Sequence, residues 1–597
     1  MFATKVFNRQ IAGFFSSSRS GTVGAVVTIM LVTFIAHFVF FPLFGLYEDD
    51  YILTLPTMDW SWHDLVRSLS NAWIHPTMAR PLNHFLRGIF FFFTVHNGHL
   101  AWGFLFSFAL VALNGVLLYA IIRRLGNFFS ALVGALVFVL FPLDTSRQIL
   151  MHQTDLLLGV LLLLLCFHLY LGGFYLAAYV LITVSLLNLE SFFLPFLVAP
   201  ILMAGLLGMG SWRKLLRKLI THAVILGALF GLFVLGRLAL GEERARDVTL
   251  KAGDTLGRMI RLAVEGPWHG IEALVLRPID GAIHCDARLL PYALLAIVAT
   301  AWALSRWGNQ DDEKTAAAAD EIASRVRGDR RAGPFLLASG LLVWSFSYVL
   351  WVPDDYYPPI VGIGRLSGEH AAAAIGAGLA AAGLVVWILS ISVIPKRVLA
   401  LAFSCYCGAL VAFGVQIQLS EYVTYWEETK KFWSALLDQI RDLQDGDVVL
   451  VEESSDNRMM PVTKGFPPFA QVSYFPMALP YFVQFPKTWE KTPRVYGLWE
   501  GCDYNDVGDG IKLHTPIWDS LIWPSIHSGD FIYFHARNGR LERVTDLVTI
   551  GGKQLQPKTP PKEDLPPLSF SKTYLNLTSH VDSNDWFTLR NARNYPR

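Results

Sequence analysis

Apolar runs of about 20 residues with few or no charges recur along the first 420 positions of the chain. A run of this length crosses a hydrocarbon core of about 30 Å as an α-helix. Charged residues make up 16% of the chain, against about 25% in a typical soluble domain. The sequence therefore predicts an α-helical polytopic membrane protein and excludes a single soluble globule.

The apolar runs predict about eleven membrane-spanning helices. They fall near residues 22–44, 101–122, 127–142, 154–171, 173–188, 191–209, 219–240, 288–305, 334–352, 369–394 and 398–417. Lys and Arg cluster in alternate connections, which the positive-inside rule places in the cytoplasm together with the N-terminus. The outer face of the inner (plasma) membrane then receives the loops 45–100, 143–153, 241–287 and 353–368, and everything after residue 418.

The composition changes after residue 418, and the chain is expected to divide there. Residues 1–418 form the predicted transmembrane domain, and residues 419–597 form a C-terminal α/β domain in the periplasm or an equivalent extracytoplasmic space. The second part begins with a helical period, continues with the strand-like segment 447–453, and contains a predicted hairpin over 531–550. Asn538-Gly539 supplies the two positive-φ positions that a type I′ hairpin turn requires.

The first outer loop begins with three adjacent carboxylates, Glu48, Asp49 and Asp50. Neighbouring negative charges repel, so at least one of these groups is expected to have a raised pKa or to be neutralised by a cation. A general base or a metal ligand is one interpretation. The alternative is an ordinary acidic helix cap at the bilayer surface.

Three more carboxylates, Asp144, Asp155 and Glu190, lie at predicted outer boundaries of the membrane. Asp144 and Glu190 can equally serve as helix caps. Asp155 precedes a Leu-rich run, where an unpaired carboxylate is energetically unfavourable. His152 lies one helical turn before Asp155, so the two side chains can orient each other.

Cationic side chains follow Ala79 at helical spacing, because Arg80, His84 and Arg87 lie at positions i, i+4 and i+7. Three potential cations on one face can hold a phosphate or an anionic head group. Arginines that extend to the interface of a surface-lying helix are the alternative reading.

The fourth outer loop joins carboxylates, aromatic residues and a cation in a Pro-framed segment: Asp354, Asp355, Tyr356, Tyr357 and Arg365. Tyrosine lies at head-group depth and stacks on sugars, so the loop suits a lipid-linked saccharide. An aromatic belt accounts for the tyrosines but not for the two aspartates.

The sequence lacks the residues that ATP hydrolysis, serine hydrolase and zincin chemistry require. The sequence has no Walker lysine loop, GxSxG elbow, HExxH or CxxC motif. The 49 basic residues nearly balance the 48 acidic ones, which gives no sign of nucleic-acid binding. A transferase that uses an activated lipid remains.

The order of these features resembles the GT-C superfamily of membrane glycosyltransferases, in its bacterial and TMTC-like branch. The matching elements are Glu48-Asp49-Asp50, Arg80-Pro81-Leu82, and Pro142-Leu143-x-Thr145 leading to Asp155-Leu156-Leu157. That branch usually has His-Pro and a following Glu in the second loop, where this chain has Phe141-Pro142 and Ser146-Arg147. The second acidic role therefore falls to Asp144, Asp155 or Glu190.

The resemblance implies an inverting transfer of a sugar from undecaprenyl or dolichyl phosphate. The acceptor is a hydroxyl group of a cell-surface glycan, lipid or protein at the outer face. Asp49 or Asp50, beside Glu48, would be the base, with Asp49 preferred. Arg80, His84, His152 and Arg365 are the candidates for the donor phosphate, and some family members hold a divalent metal such as Mg²⁺ or Mn²⁺ between the acidic loops.

Two other classes of protein share many of these features. A transporter or flippase for lipid-linked saccharides would be expected to carry carboxylates or broken helices near mid-membrane and on both sides. An assembly or sensor protein would not need clustered carboxylates in the first two outer loops. The one-sided acidic residues favour the enzyme.

Overall fold

The computed structural model describes residues 19–47, 50–74, 80–95, 98–208, 211–240, 252–308, 319–351, 364–391, 394–453, 478–486, 488–498, 503–514, 525–537, 540–561 and 568–578. The α-helices of the described residues begin with α1 (Arg19–Phe38), α2 (Asp50–Leu53), α3 (Trp62–Ile74), α4 (Pro81–Thr94), α5 (Ala101–Leu125), α6 (Phe128–Val139), α7 (Leu158–Leu171), α8 (Tyr175–Leu186) and α9 (Ala199–Leu207). They are followed by α10 (Trp212–Ala239), α11 (Ala252–Ile283), α12 (Leu290–Gly308), α13 (Ala319–Val349), α14 (Ala373–Ile391), α15 (Lys396–Ile417), α16 (Thr424–Gln439), α17 (Leu479–Phe482) and α18 (Lys572–Thr578).

Eight helical segments of the described chain are long and apolar enough to cross a membrane. They are Ser20–Leu43, Ala101–Leu125, Gln153–Leu171, Glu190–Leu207, Trp212–Ala239, Leu290–Gly308, Ser367–Ile391 and Lys396–Gln439. Three shorter apolar segments, Phe128–Val139, Tyr175–Leu186 and Gly333–Val349, lie at other predicted spans. The chain therefore has the helices of a polytopic membrane protein, as predicted, whereas the count of eleven and the sidedness remain predictions.

Helices α13 and α14 pack closely because glycines lie where their backbones meet. A Cβ atom on Gly340 would lie 2.2 Å from the backbone nitrogen of Ala380, and one on Gly376 would lie 2.4 Å from that of Trp344. Close approach of this kind is typical of small residues between membrane helices.

Gly340→Ala is expected to destabilise the protein by about 1–3 kcal/mol, since the added methyl group forces two backbones apart. Gly231→Ala on α10 is the matched control, because a Cβ atom there meets nothing within 4 Å. Thermal unfolding of both variants in detergent checks this difference, and equal midpoints would contradict the observed packing.

Helix α11 spans much of the predicted outer loop 241–287 and presents three faces. One face packs on α13 and α15, where the hydroxyl of Tyr406 donates a hydrogen bond to the carbonyl of Leu274 at 2.9 Å. A second face exposes Leu256, Ile260, Val264, Trp268, Ile271, Val275, Ile279 and Ile283. A third face carries exposed charges such as the Arg261–Glu265 pair.

All nine strands lie in the C-terminal part of the described chain: β1 (Val448–Glu453), β2 (Arg494–Leu498), β3 (Asp503–Asp506), β4 (Gly510–His514), β5 (Ser525–His527), β6 (Phe531–Arg537), β7 (Arg540–Val544), β8 (Val548–Ile550) and β9 (Lys553–Leu555). The main sheet has the order β2-β1-β6-β7, with β2 and β6 parallel to β1. Strands β3, β4 and β5 form a second sheet. Strands β6 and β7 form the predicted hairpin, in which Arg537 pairs with Arg540; the turn residues lie outside the described ranges.

Side chains alternate across the main sheet, so its two faces belong to different cores. Val449, Val451, Ile532 and Phe534 belong to the same apolar core as the membrane helices. Leu450, Tyr496 and Tyr533 belong to a second core with strands of the smaller sheet. The C-terminal sheet is thereby packed onto the helical part of the protein.

Helix α15 continues through a π-helical turn, Gln418–Val423, into α16, so one helix runs over Lys396–Gln439. The predicted domain boundary between residues 418 and 419 lies inside this helix. The amide of Gln418 is bonded within the bundle, accepting from the backbone N–H of Phe40 at 3.2 Å and donating to the carbonyl of Ile35 at 2.9 Å.

Candidate functional site

The carboxylate of Asp50 joins the segment after α1 to the segment after α6. It is fully buried and accepts hydrogen bonds from the backbone N–H groups of Leu150 at 3.2 Å and Met151 at 2.8 Å. Its own segment adds the N–H of Tyr47 at 3.2 Å and the hydroxyl of Thr54 at 3.2 Å. This arrangement makes Asp50 an anchor between the loops. Glu48 and Asp49 lie outside the described residues.

Burial raises the pKa of Asp50 to about 7, although its four hydrogen bonds stabilise the ionised form. An unfolded aspartate titrates near 3.9, so between about pH 4 and pH 7 the folded protein holds a proton that the unfolded chain releases. The contribution of Asp50 to the free energy of unfolding therefore falls as the pH rises through this window, by roughly 4 kcal/mol at most.

We expect this pH dependence to disappear in Asp50→Asn. Thermal unfolding of the wild type and the variant, measured in detergent between pH 4.5 and pH 8, isolates it because the other carboxylates are common to both. The difference between the two curves should be largest above pH 7. A difference independent of pH would show that Asp50 does not titrate in this range.

Thr145 connects the segment after α6 to two later parts of the chain. Its backbone N–H donates to the hydroxyl of Ser367 at 3.0 Å, and its own hydroxyl accepts from the N–H of Gly364 at 3.0 Å. The hydroxyl of Tyr422 donates to the carbonyl of Thr145, and that of Tyr47 donates to the carbonyl of Tyr422 at 3.1 Å. Four segments, distant in sequence, therefore meet around this loop.

Asp144 forms a buried ion pair with Arg147, with 3.1 Å between Oδ2 and Nε. The same guanidinium lies 2.9 Å from Nε2 of His37 and donates to the carbonyl of Phe138 at 3.1 Å. His37 belongs to α1, and Phe138 lies at the end of α6. This pair therefore holds the segment after α6 against α1 and α6.

Asp155 lies in a π-helical turn, Gln153–Leu157, and is largely buried. Its Oδ1 accepts from the backbone N–H of Leu156 at 2.8 Å, and its carbonyl accepts from the side chain of Asn188 at 3.1 Å. Asn188 in turn accepts from Asn83 of α4 at 3.3 Å. Arg87, one of the predicted cations, is buried and donates to Asn83.

Two arginines converge on Glu190. Arg80, which precedes α4, donates from Nε to Oε2 at 3.1 Å and from Nη2 to Oε1 at 2.7 Å. Arg237, near the end of α10, places Nη1 3.3 Å from Oε1. Two guanidinium groups share one carboxylate, and all three side chains are 10–20% exposed.

Arg237 is not among the residues predicted from the sequence, although a signal for it is present. It lies at the end of a predicted span that leads to an outer loop, which is the side where arginines are uncommon. Glu369 and His370, which are both buried, are likewise not among the predicted residues. The imidazole Nδ1 of His370 lies 2.8 Å from the hydroxyl of Tyr348. The signal for Glu369 and His370 was an acidic residue next to a histidine at the very start of a predicted span.

Among the remaining predicted residues, the structure describes the side chains of His84 and His152. His84 is half-buried one turn after Arg80 on α4. His152 is buried, and a Cβ atom on Gly368 would lie 3.2 Å from its Cε1. Arg365 opens the 3₁₀ segment Arg365–His370, but its side chain lies outside the description. The same holds for all of Asp354, Asp355, Tyr356 and Tyr357.

The predicted divalent metal has no ready-made ligand set in the described part of the chain, where no three His, Cys, Asp or Glu side chains converge. The carboxylates of Asp50, Asp144 and Glu190 bind N–H, hydroxyl or guanidinium donors instead. A metal between the acidic loops therefore stays a prediction that concerns Glu48 and Asp49.

Comparison of the chain with protein-family models, with curated proteins and with solved structures gave no match. The assignment of a function therefore rests on these residues and their geometry.

Proposed function

We propose that the chain is an integral-membrane inverting glycosyltransferase of the GT-C type. It transfers a sugar from a polyprenyl-phosphate donor to a hydroxyl group of a glycan, lipid or protein at the outer face of the membrane. The observation that carries the proposal is the bonding of Asp50 to the backbone of Leu150 and Met151, which joins the last residue of the acidic triplet to the predicted second outer loop.

Asp49 is assigned as the general base. Asp50 is committed to four donors, so it fixes the loop rather than taking a proton from the acceptor. Asp49 is its direct neighbour in the sequence and is the candidate that this leaves first. A base held at fixed geometry contributes about 10²–10⁴-fold to such a transfer.

Arg80 and Arg237 are assigned to the phosphate of the donor. Guanidinium groups bind phosphate in bidentate fashion, and their charge stabilises the phosphate as the sugar departs. Glu190 holds both groups side by side at a partly exposed position. Leu232 and Leu235 are exposed on the same helix as Arg237, which suits the isoprenoid chain of a lipid whose phosphate lies at Arg237.

The acidic loops and the C-terminal strands share one side of the membrane in this proposal. Their contacts support it, because Thr573 of α18 donates a hydrogen bond to Asp59 of the first outer segment. An alkaline phosphatase fused after Arg597 is expected to be active, whereas a green fluorescent protein fused there should stay dark in bacteria. The reverse result would place the C-terminal part in the cytoplasm.

The function itself is tested by mass spectrometry of lipid-linked sugars and surface glycans from cells with and without the protein. Loss of the protein is expected to enrich one polyprenyl-phosphate sugar and to remove the corresponding sugar from a surface product. Restoring the wild type should reverse both changes, and restoring Asp49→Asn should not. Unchanged donor and product pools would contradict the proposal.

A further inference from the structure

The strand order of the main C-terminal sheet makes the connections after β1 and β6 leave toward opposite sides. Strand β1 lies between β2 and β6, and all three are parallel. The chain leaves β1 toward β2 on one side and leaves β6 toward β7 on the other. In open α/β sheets, ligands bind at the carboxyl ends of such adjacent strands, where their outgoing connections diverge.

A carboxylate, an imidazole and a phenol meet at this point. Glu452 of β1 pairs in register with His535 of β6. Nδ1 of His535 lies 2.9 Å from Oε2 of Glu452, and the hydroxyl of Tyr533 donates to the same oxygen at 2.5 Å. Glu452 is therefore oriented by two neighbours that both use one of its two oxygens.

The second oxygen of Glu452 accepts no hydrogen bond from any described residue. The side chain of Glu452 is 42% exposed and that of His535 is 22% exposed, whereas Tyr533 is buried. An oriented acceptor open to solvent is suited to a ligand that donates hydrogen bonds.

We propose that the carboxyl edge between β1 and β6 binds an uncharged, hydroxyl-rich ligand, a saccharide, through Glu452 and His535. The carboxylate repels a phosphate, and the described residues offer too few ligands here for a metal ion. Because two donors already share its charge, the carboxylate is better matched to neutral hydroxyl groups than to a full cation. This inference is independent of the proposed transferase function.

Binding is measured with the full chain in nanodiscs, using a panel of labelled neutral oligosaccharides and a labelled diamine as the cationic probe. At least one oligosaccharide is expected to bind, and Glu452→Gln should weaken it by 10-fold or more. The matched control is Asp509→Asn, because Asp509 forms the same kind of pair at 2.9 Å with His527, which belongs to β5 of the smaller sheet. Asp509→Asn should bind like the wild type.

Tyr533→Phe removes the orienting hydroxyl and keeps the buried ring, so it tests the site even if Glu452→Gln folds poorly. It is expected to weaken the same oligosaccharide by about 3- to 10-fold, as loss of one hydrogen bond does. The proposal is overturned if no oligosaccharide binds the wild type, or if binding is equal in the well-folded variants and the control. If Glu452→Gln weakens binding of the diamine and leaves binding of every oligosaccharide unchanged, the choice of ligand is overturned.

Discussion

Asp49→Asn is expected to lower sugar transfer by about 10²-fold or more while leaving donor affinity unchanged. An amide cannot accept the proton of the acceptor hydroxyl, and loss of general-base catalysis has an effect of this size. The neighbouring anchor stays intact, because Asp50 keeps its bonds to Leu150 and Met151. Turnover and donor binding are measured separately on the purified variant.

Asp64→Asn is the matched control for this substitution. Asp64 belongs to the same outer segment, is exposed, and accepts hydrogen bonds from Ser61 at the start of α3. Its replacement should leave transfer near the wild-type rate. Near-normal transfer by Asp49→Asn would assign the proton to another group, with Glu48 the first to test.

Arg80→Ala and Arg237→Ala are each expected to raise the dissociation constant of a polyprenyl-phosphate sugar by about 10- to 100-fold. A charge-assisted hydrogen bond to phosphate contributes roughly 1.5–3 kcal/mol. Lysine at either position should restore part of the affinity, since it lacks the bidentate fork. Binding in nanodiscs measures this effect.

Two further variants separate phosphate binding from a structural role. Glu190→Gln removes the negative charge between the arginines, so donor affinity should be kept or increased. Arg261→Ala removes an arginine from an exposed ion pair on α11 and should change nothing. Unchanged affinity in both Arg80→Ala and Arg237→Ala would make this cluster an interfacial anchor. Arg365 and His84 would then be the next phosphate candidates.

The features that the sequence could predict have local signals. Apolar runs of membrane length mark the spans, and the Asn538-Gly539 pair marks the hairpin of β6 and β7. The start of α4 at Pro81 follows from the preference of proline for the first turn of a helix. Each signal lies within a few residues of the structure that it specifies.

The features that could not be predicted depend on contacts between distant segments. Leu150 and Met151 bind Asp50 through their backbone N–H groups, so the identity of their side chains gives no signal for this contact. Arg237 reaches Glu190 only because α10 returns beside it. The composition change after residue 418 reflects a new environment, but the helix continues, since Gln418 is bonded within the bundle.

The central claim is tested most directly by following a polyprenyl-phosphate sugar in nanodiscs that hold the purified protein, with a cell-envelope extract as the source of acceptor. The wild type is predicted to release free polyprenyl phosphate and to form a product with inverted anomeric configuration. Asp49→Asn is predicted to bind the donor equally and to release none. A wild-type protein that binds the donor but leaves it intact with every acceptor fraction would contradict the assignment of a glycosyltransferase.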